Sequence, residues 1–326
     1  MREHFSRRRV FTVLAATAAG LALGVTRGLA TAIDHEWRGT ALGTDARLLF
    51  CGGEPHAVRA AIRMAVAEID RLEDALSLFR DRSAIACLNR DGALASPSGD
   101  LRRALALAIS VARASGGLYD PTVQALWEAH VNWFAGRSTA ALPPEALIAD
   151  ARARVDWRRI RFAVDAIQLG DGQRITLNGL GQGYVTDRIA DLLRERGFVH
   201  VLVDLGEQHA LGPRADGAPW QVFRENAEPI ALSAGALATS EGAGCVLGAG
   251  GLAHHLFDPR TGRSAQHWRR LTVSHRSAAV ADALSTALSA ASREEIEMVL
   301  PRFAGARAWV TDRDGREWRF SAPSES

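Results

Sequence analysis

The sequence predicts an α+β protein of mixed, mainly antiparallel sheets packed against helices. Segments with a 3.6-residue apolar period and short strand-like runs follow one another in mixed order, not as the repeating strand–helix series of a doubly wound sheet. Near the C-terminus, Ala306–Thr311 and Trp318–Phe320 flank Asp312-Arg313-Asp314-Gly315, the pattern of an antiparallel hairpin. Over 326 residues, 47% are hydrophobic and 23% charged, so the chain can bury the core of one large domain or two intimately packed ones.

Residues 1–32 read as an export signal. Ser6-Arg7-Arg8-Arg9-Val10-Phe11 precedes an apolar run from Val13 to Val25, and Ala30-Thr31-Ala32 offers a small-x-small cleavage site. This is the pattern of a twin-arginine signal peptide, which implies a periplasmic mature chain of residues 33–326. The run falls short of the ~20 residues that span a bilayer. These residues hold five Arg and one Glu, so removing them turns the net charge from +2 to −2. Nothing in that balance suggests a nucleic-acid partner. All 39 basic residues are Arg, which excludes a lysine nucleophile or Schiff base. Cys51, Cys87 and Cys245 have neither zinc spacing nor an even count and are expected to be buried free thiols.

Along the mature chain, Ala46–Phe50 is a short strand. Pro55 then opens a helix whose Val58, Ile62, Val66, Ile69, Leu72 and Leu76 make one apolar stripe. A helix from Leu101 to Ala114 ends at Ser115-Gly116-Gly117, and Asp120-Pro121 starts another that carries Leu126, Trp127 and Trp133. Pro143-Pro144 opens a short helix, and Ile160–Leu169 alternates as a strand. Further strands are expected at Phe198–Leu205, Trp220–Arg224, Ile230–Ser233, Leu237–Ser240, His254–Phe257 and Leu271–His275, with helices at Ala278–Ala291 and Glu294–Phe303.

The stretch Ile175–Gly197 stands out. Ile175 and Leu177 read as the end of a strand, Gly179, Gly181 and Gly183 as a tight turn, and Val185, Ile189 and Leu192 as a helix that Gly197 stops. Glycines at a helix N-terminus let backbone N–H groups approach a phosphate. The G-x-G-x-G spacing is not that of a dinucleotide fingerprint or a P-loop, and a plain strand–turn–helix connection accounts for it equally well. Asp282 and Thr286, four apart on a helix, place a carboxylate and a hydroxyl on one face where both can reach a hard cation. An acidic residue near a helix N-terminus also favours the dipole without any ligand.

Taken together, these segments resemble the ApbE family of flavin transferases. Thr40-Ala41-Leu42-Gly43-Thr44 resembles the family's T-x-M-G-T with Leu for Met, and Ser77-Leu78-Phe79, Ile85 and Leu88-Asn89-Arg90 its S-x-[YF]…I-x-x-L-N segment. Ser115-Gly116-Gly117-Leu118-Tyr119-Asp120-Pro121-Thr122 resembles S-G-G-x-[FY]-D-P-T, and the glycine turn resembles L-G-G-x-x-x-G-Y-x-x-D. Val203-Asp204-Leu205-Gly206, Ala238-Thr239-Ser240, His255 to Gly262 and Ala281 to Leu288 follow in family order.

The resemblance implies an ApbE-like, T-fold-like architecture and Mg2+-dependent transfer of FMN from FAD to a Thr or Ser of an acceptor flavoprotein. It implies Leu42, Phe79, Leu118, Tyr119, Asp120, Thr176, Gln182 and Leu256 as FAD contacts, and Gly179, Asp282 and Thr286 as magnesium ligands. It implies His255 beside the acceptor hydroxyl, as orienter or proton acceptor. Phe79 and Tyr119 also suit a core, and Asp120 a helix N-cap. Thr176 and Gln182 depart from the family's Asp and Lys or Glu. The signal, the Leu-Gly-Thr segment and the Gly-Gln-Gly-Tyr turn together resemble the branch associated with nitrous-oxide reductase maturation, which implies a membrane-bound acceptor. A periplasmic FAD pyrophosphatase would use the same metal and turn but let water attack. A non-catalytic flavin-binding maturation factor would bind FAD without turnover.

Overall fold

The computed structural model describes residues 33–137 and 139–323. The expected signal peptide lies outside the described residues. Among the described residues no helix is long and apolar enough to cross a membrane.

The centre of the fold is an eight-stranded sheet. Its strands are β1 (His35–Ala41), β2 (Thr44–Phe50), β6 (Val201–Asp204), β7 (Gln208–Ala210), β10 (Gly235–Glu241), β11 (Arg270–His275), β12 (Arg307–Thr311) and β13 (Glu317–Ser321), neighbouring in that order. Every neighbouring pair is antiparallel, as the α+β reading expects. β3 (Ala93–Ala95), β5 (Ala166–Gln168) and β4 (Arg161–Phe162) form a small second sheet, and β8 (Trp220–Arg224) with β9 (Ala227–Leu232) a two-stranded ribbon.

The period of two along the strands decides what covers each face. Leu48, Phe50, Val201 and Val203 point into the main core, under α1 (Pro55–Leu76), α6 (Gly181–Glu195) and α7 (Ala278–Ser289). Leu49, Leu202 and Leu237 point the other way and meet Trp220, Val222, Ile230 and Leu232 of the β8–β9 ribbon. The remaining helices are α2 (Ala84–Asp91), α3 (Gly99–Ala114), α4 (Gln124–Phe134), α5 (Glu145–Arg152) and α8 (Arg293–Val299). On the rim of the core, Asp100 of α3 gathers the Tyr184 hydroxyl at 2.7 Å, Arg71 at 2.7 Å and Arg103 at 2.6 Å, pinning α1, α3 and α6 together.

Several expectations are corrected. β1 has no counterpart among the expected strands, because its burial alternates down to a single fully buried residue, Ala41. Ile160–Leu169 is not one strand: Ala163 N–H bonds to the Ala166 carbonyl at 2.9 Å, which folds it into the β4–β5 hairpin with Val164 exposed at its tip. Ile175–Leu177 is irregular. Its backbone is satisfied by the Asn89 side chain, which pairs with Ile175 N and O at 2.7 Å each, and by the Pro121 carbonyl, which accepts from Thr176 N at 2.7 Å, so no strand partner is needed. His254–Phe257 makes only isolated bridges, from His254 to Val246 and from Phe257 to Ser264. On α1, Val66 is exposed although it lies on the apolar stripe. Of the three free thiols, Cys51 and Cys245 are buried and Cys87 is half-buried.

Candidate functional site

The site is built where α6 and α7 meet over the sheet. Each helix is capped by a carboxylate of the other. Asp187 of α6 accepts Ala278 N at 2.7 Å, Ala279 N at 3.1 Å and the Ser277 hydroxyl at 2.6 Å, while His209 Nδ1 lies 2.9 Å away. In return, Asp282 of α7 accepts the Gly183 N–H at 3.1 Å, at the start of α6, where no side chain of α6 provides a cap. One of the amides that the glycine pattern offers to a phosphate, that of Gly183, therefore already faces Asp282. Burial, opposed by the Gly183 N–H and reinforced by Asp187, pushes the Asp282 carboxyl well above the usual carboxylate range.

The three glycines have three different reasons. A Cβ on Gly179 would lie 2.8 Å from Thr286 Oγ1, so the bare backbone there brings the turn against the Thr286 hydroxyl. A Cβ on Gly183 would lie 2.3 Å from the Ala278 carbonyl oxygen, so this glycine serves the α6–α7 contact. A Cβ on Gly181 would meet only Leu177 and Leu42, at 3.8 and 3.9 Å, which is ordinary contact. Gly183→Ala is thus expected to cost about 3 kcal/mol of stability by prising the two helices apart, whereas Gly181→Ala should fold normally. Chemical denaturation of both variants checks this, and a Gly183→Ala protein as stable as Gly181→Ala would refute it.

The other expected residues gather around this turn. Leu42 stands at the β1–β2 hairpin with φ +49°, its N–H bonded to Glu73 Oε1 at 2.6 Å and its side chain near Gly181. Gln182 donates to Thr44 Oγ1 at 3.1 Å and lies against Gly206. Thr176 is half-buried, its Oγ1 accepting Asn178 N at 3.1 Å. Leu118 and Tyr119 are buried, and the Tyr119 phenol is pushed up by burial and then by the Asp282 and Asp120 charges. Asp120 caps a 3-10 turn over Pro121–Val123. It accepts Thr122 N at 2.8 Å, the Thr122 hydroxyl at 2.6 Å and Trp157 N at 3.1 Å, so its carboxylate is engaged within the protein. Phe79 keeps 39% of its surface exposed, more than a core aromatic would.

His255 and Leu256 lie on the segment that follows the loop after β10, and Leu256 packs into the same core cluster as Leu118 and Tyr119. Among the described residues no hydrogen bond joins His255 to the Asp282 group. The ring is half-buried, its Nδ1 sealed and without a hydrogen-bond partner. Burial, then the neighbouring His254, lowers its pKa to about 4, so the ring is neutral at physiological pH. Leu256 is buried, its N–H donating to His254 Nδ1 at 3.3 Å. A cavity of about 110 Å³ beside this segment, lined by His130, Leu252, Arg263 and Gln266 among others, is too small for a dinucleotide.

Glu207 was not anticipated. It is buried, and after burial itself the Asp282 charge is the strongest influence pushing its carboxyl upward. No motif spacing marks it; only the fold shows that it lies near Asp282. Among the described residues no three His, Cys, Asp or Glu side chains are placed to hold a metal. A cation here would rely on the hard oxygen donors present: the Asp282 carboxylate, the Thr286 hydroxyl and the Gly179 backbone against it. That set suits magnesium, which takes few protein carboxylates beside phosphate and water oxygens.

A model of the ApbE family matches residues 42–309. A protein of Treponema pallidum named FAD:protein FMN transferase is 30% identical over 176 residues, 51% of this chain and about half (48%) of that relative's length. One of the same name from Salmonella typhimurium is 25% identical over 94% of this chain and 88% of its own. Among solved structures, the ApbE protein of Thermotoga maritima superposes with a TM-score of 0.77 at 23% identity, over 87% of this chain and 96% of its own. The flavinyl transferase ApbE of Pseudomonas stutzeri superposes with a TM-score of 0.75 at 22% identity, over 89% and 96%. At these identities the superpositions establish the fold.

Proposed function

The chain belongs to the ApbE family, and from that premise we propose that it transfers the FMN moiety of FAD to a Thr or Ser hydroxyl of a partner protein, releasing AMP. The observation that carries the reading is the meeting of the glycine turn with α7, which puts Gly179 against Thr286 and Gly183 on Asp282. Asp282, Thr286 and the Gly179 carbonyl would hold a magnesium ion, which when bound neutralises charge on the pyrophosphate and improves AMP as a leaving group.

The chain's own residues do the rest. Leu42, Phe79, Leu118, Tyr119 and Leu256 offer the apolar contacts for the flavin, and Thr176 and Gln182 uncharged polar contacts for the adenosine side. The acceptor oxygen attacks the phosphorus of the FMN half. The bond from that phosphorus to the bridging oxygen breaks, AMP leaves with the electron pair, and the hydroxyl proton passes to His255. A neutral imidazole is the form able to take it. Its Nδ1 is sealed, so Nε2 is the nitrogen that meets the substrate.

On this reading, AMP appears from FAD and magnesium only when an acceptor with an intact Thr or Ser is present. AMP and free FMN formed at the same rate without acceptor would make the protein a pyrophosphatase, and FAD binding with no AMP at all a maturation factor. A periplasmic location is part of this proposal, supported by the twin-arginine pattern of residues 1–32, and a membrane-bound acceptor is supported by that pattern together with the Leu-Gly-Thr segment and the Gly-Gln-Gly-Tyr turn; cell fractionation checks the location.

A further inference from the structure

Glu207 is a buried carboxylate to which the transfer reaction as described gives no task. It follows Gly206, whose φ of +100° turns the chain between β6 and β7. Its Oε2 accepts the Thr239 N–H at 3.2 Å, and its carbonyl accepts the Thr186 hydroxyl at 3.4 Å. Both neighbours lead back to the same face of α7. Thr239 is followed by Ser240, whose Oγ lies 2.7 Å from Ser285 Oγ and 3.5 Å from Thr286 Oγ1. Thr186 lies three residues after Gly183, whose N–H bonds to Asp282.

Among the described residues no cation pairs with Glu207. Arg47, on the adjoining strand β2, is engaged by Asp204 at 2.9 Å with both side chains nearly buried. Two carboxylates thus share a buried region with one backbone N–H bonded to each and no positive side chain between them. Burying two ionised carboxylates together is costly unless a proton or a cation completes the group, and a cation site keeps both ionised. A divalent ion would bring two positive charges to two negative ones.

We propose that Glu207 is a positioning residue for the divalent cation held by Asp282 and Thr286, acting from the β6–β7 side by its charge and by holding a water ligand of the ion. This rests on reading the Gly179–Asp282–Thr286 face as a cation site. Residues behind the ligands of a metal typically alter its affinity by 10- to 100-fold.

The test is a titration of Mn2+ into the purified chain with FAD bound, followed by the electron paramagnetic resonance signal of free Mn2+. Glu207→Gln keeps the acceptor for Thr239 N–H and removes the charge. It is expected to weaken Mn2+ about tenfold, while metal-free thermal stability stays equal or rises. Glu207→Asp, which keeps the charge, should stay closer to the native affinity and serves if the Gln variant does not fold. Mn2+ affinity in Glu207→Gln within twofold of native, beside a large loss in Asp282→Asn, overturns the role of Glu207 alone. Absence of Mn2+ binding by the native chain, or an unchanged affinity in Asp282→Asn, overturns the cation site and this inference with it.

Discussion

Asp282→Asn is expected to lower FMN transfer by about 10³-fold, because the charge stabilisation a bound cation contributes is worth several kcal/mol and each 1.36 kcal/mol is tenfold. The fold should survive. The native carboxyl is held above its ordinary range by burial, so the folded chain binds that proton more tightly than the unfolded chain. A raised carboxylate contributes less stability as pH climbs above the ordinary carboxylate range. The neutral amide escapes this penalty and can still accept the Gly183 N–H. Without magnesium, the variant should therefore melt at the native temperature or above it, with the difference growing from acid toward neutral pH. Thr286→Val should be milder, since a hydroxyl binds a hard cation more weakly than a carboxylate does. Paired initial rates and melting curves settle the ranking, and a Thr286→Val loss equal to that of Asp282→Asn would contradict it.

His255→Ala is expected to slow transfer by 10²- to 10⁴-fold, the usual contribution of a positioned proton acceptor, while FAD affinity changes little. The pH profile carries separate information. With its pKa lowered to about 4, the ring stays neutral across the range in which an exposed histidine would titrate. With magnesium saturating, so that Asp282 stays ionised on the cation, the native rate should then hold steady from neutral pH down to about 5 and fall only as pH approaches 4, which is the direction for a base lost on protonation. A limb centred near 6.5 would mean that the ring is solvated during turnover, and a His255→Ala protein with native rate would remove it from the reaction.

Much of this architecture was legible because local rules and the fold agree. Pro55 at the start of α1, Ser115-Gly116-Gly117 after α3 and Gly197 after α6 act where cap and stop chemistry puts them. The alternation of the C-terminal strands fixes their faces. The disagreements lie where a distant group satisfies the backbone. Ile175–Leu177 looks like a strand but takes its hydrogen bonds from Asn89 and Pro121, 86 residues away in the first case. Ile160–Leu169 alternates, yet a tight turn at Ala163–Ala166 divides it.

The site was legible to a similar depth. Asp282 and Thr286 are visible as a spacing of four on a helix, and the glycine turn as a run of small residues. The reason for Gly183 is not visible, because its constraint is the Ala278 carbonyl of another helix. Glu207 is illegible for the same reason: an acid in a strand-turn segment reads as surface until the fold buries it with its carboxylate on the Thr239 N–H.

The most direct measurement is the intact mass of an acceptor protein after incubation with the purified chain, FAD and magnesium. A gain equal to FMN less one water, located on a single Thr or Ser, absent with Asp282→Asn and matched by one AMP per acceptor, is the expected result. An acceptor of unchanged mass while FAD is consumed to free FMN and AMP would contradict the transfer.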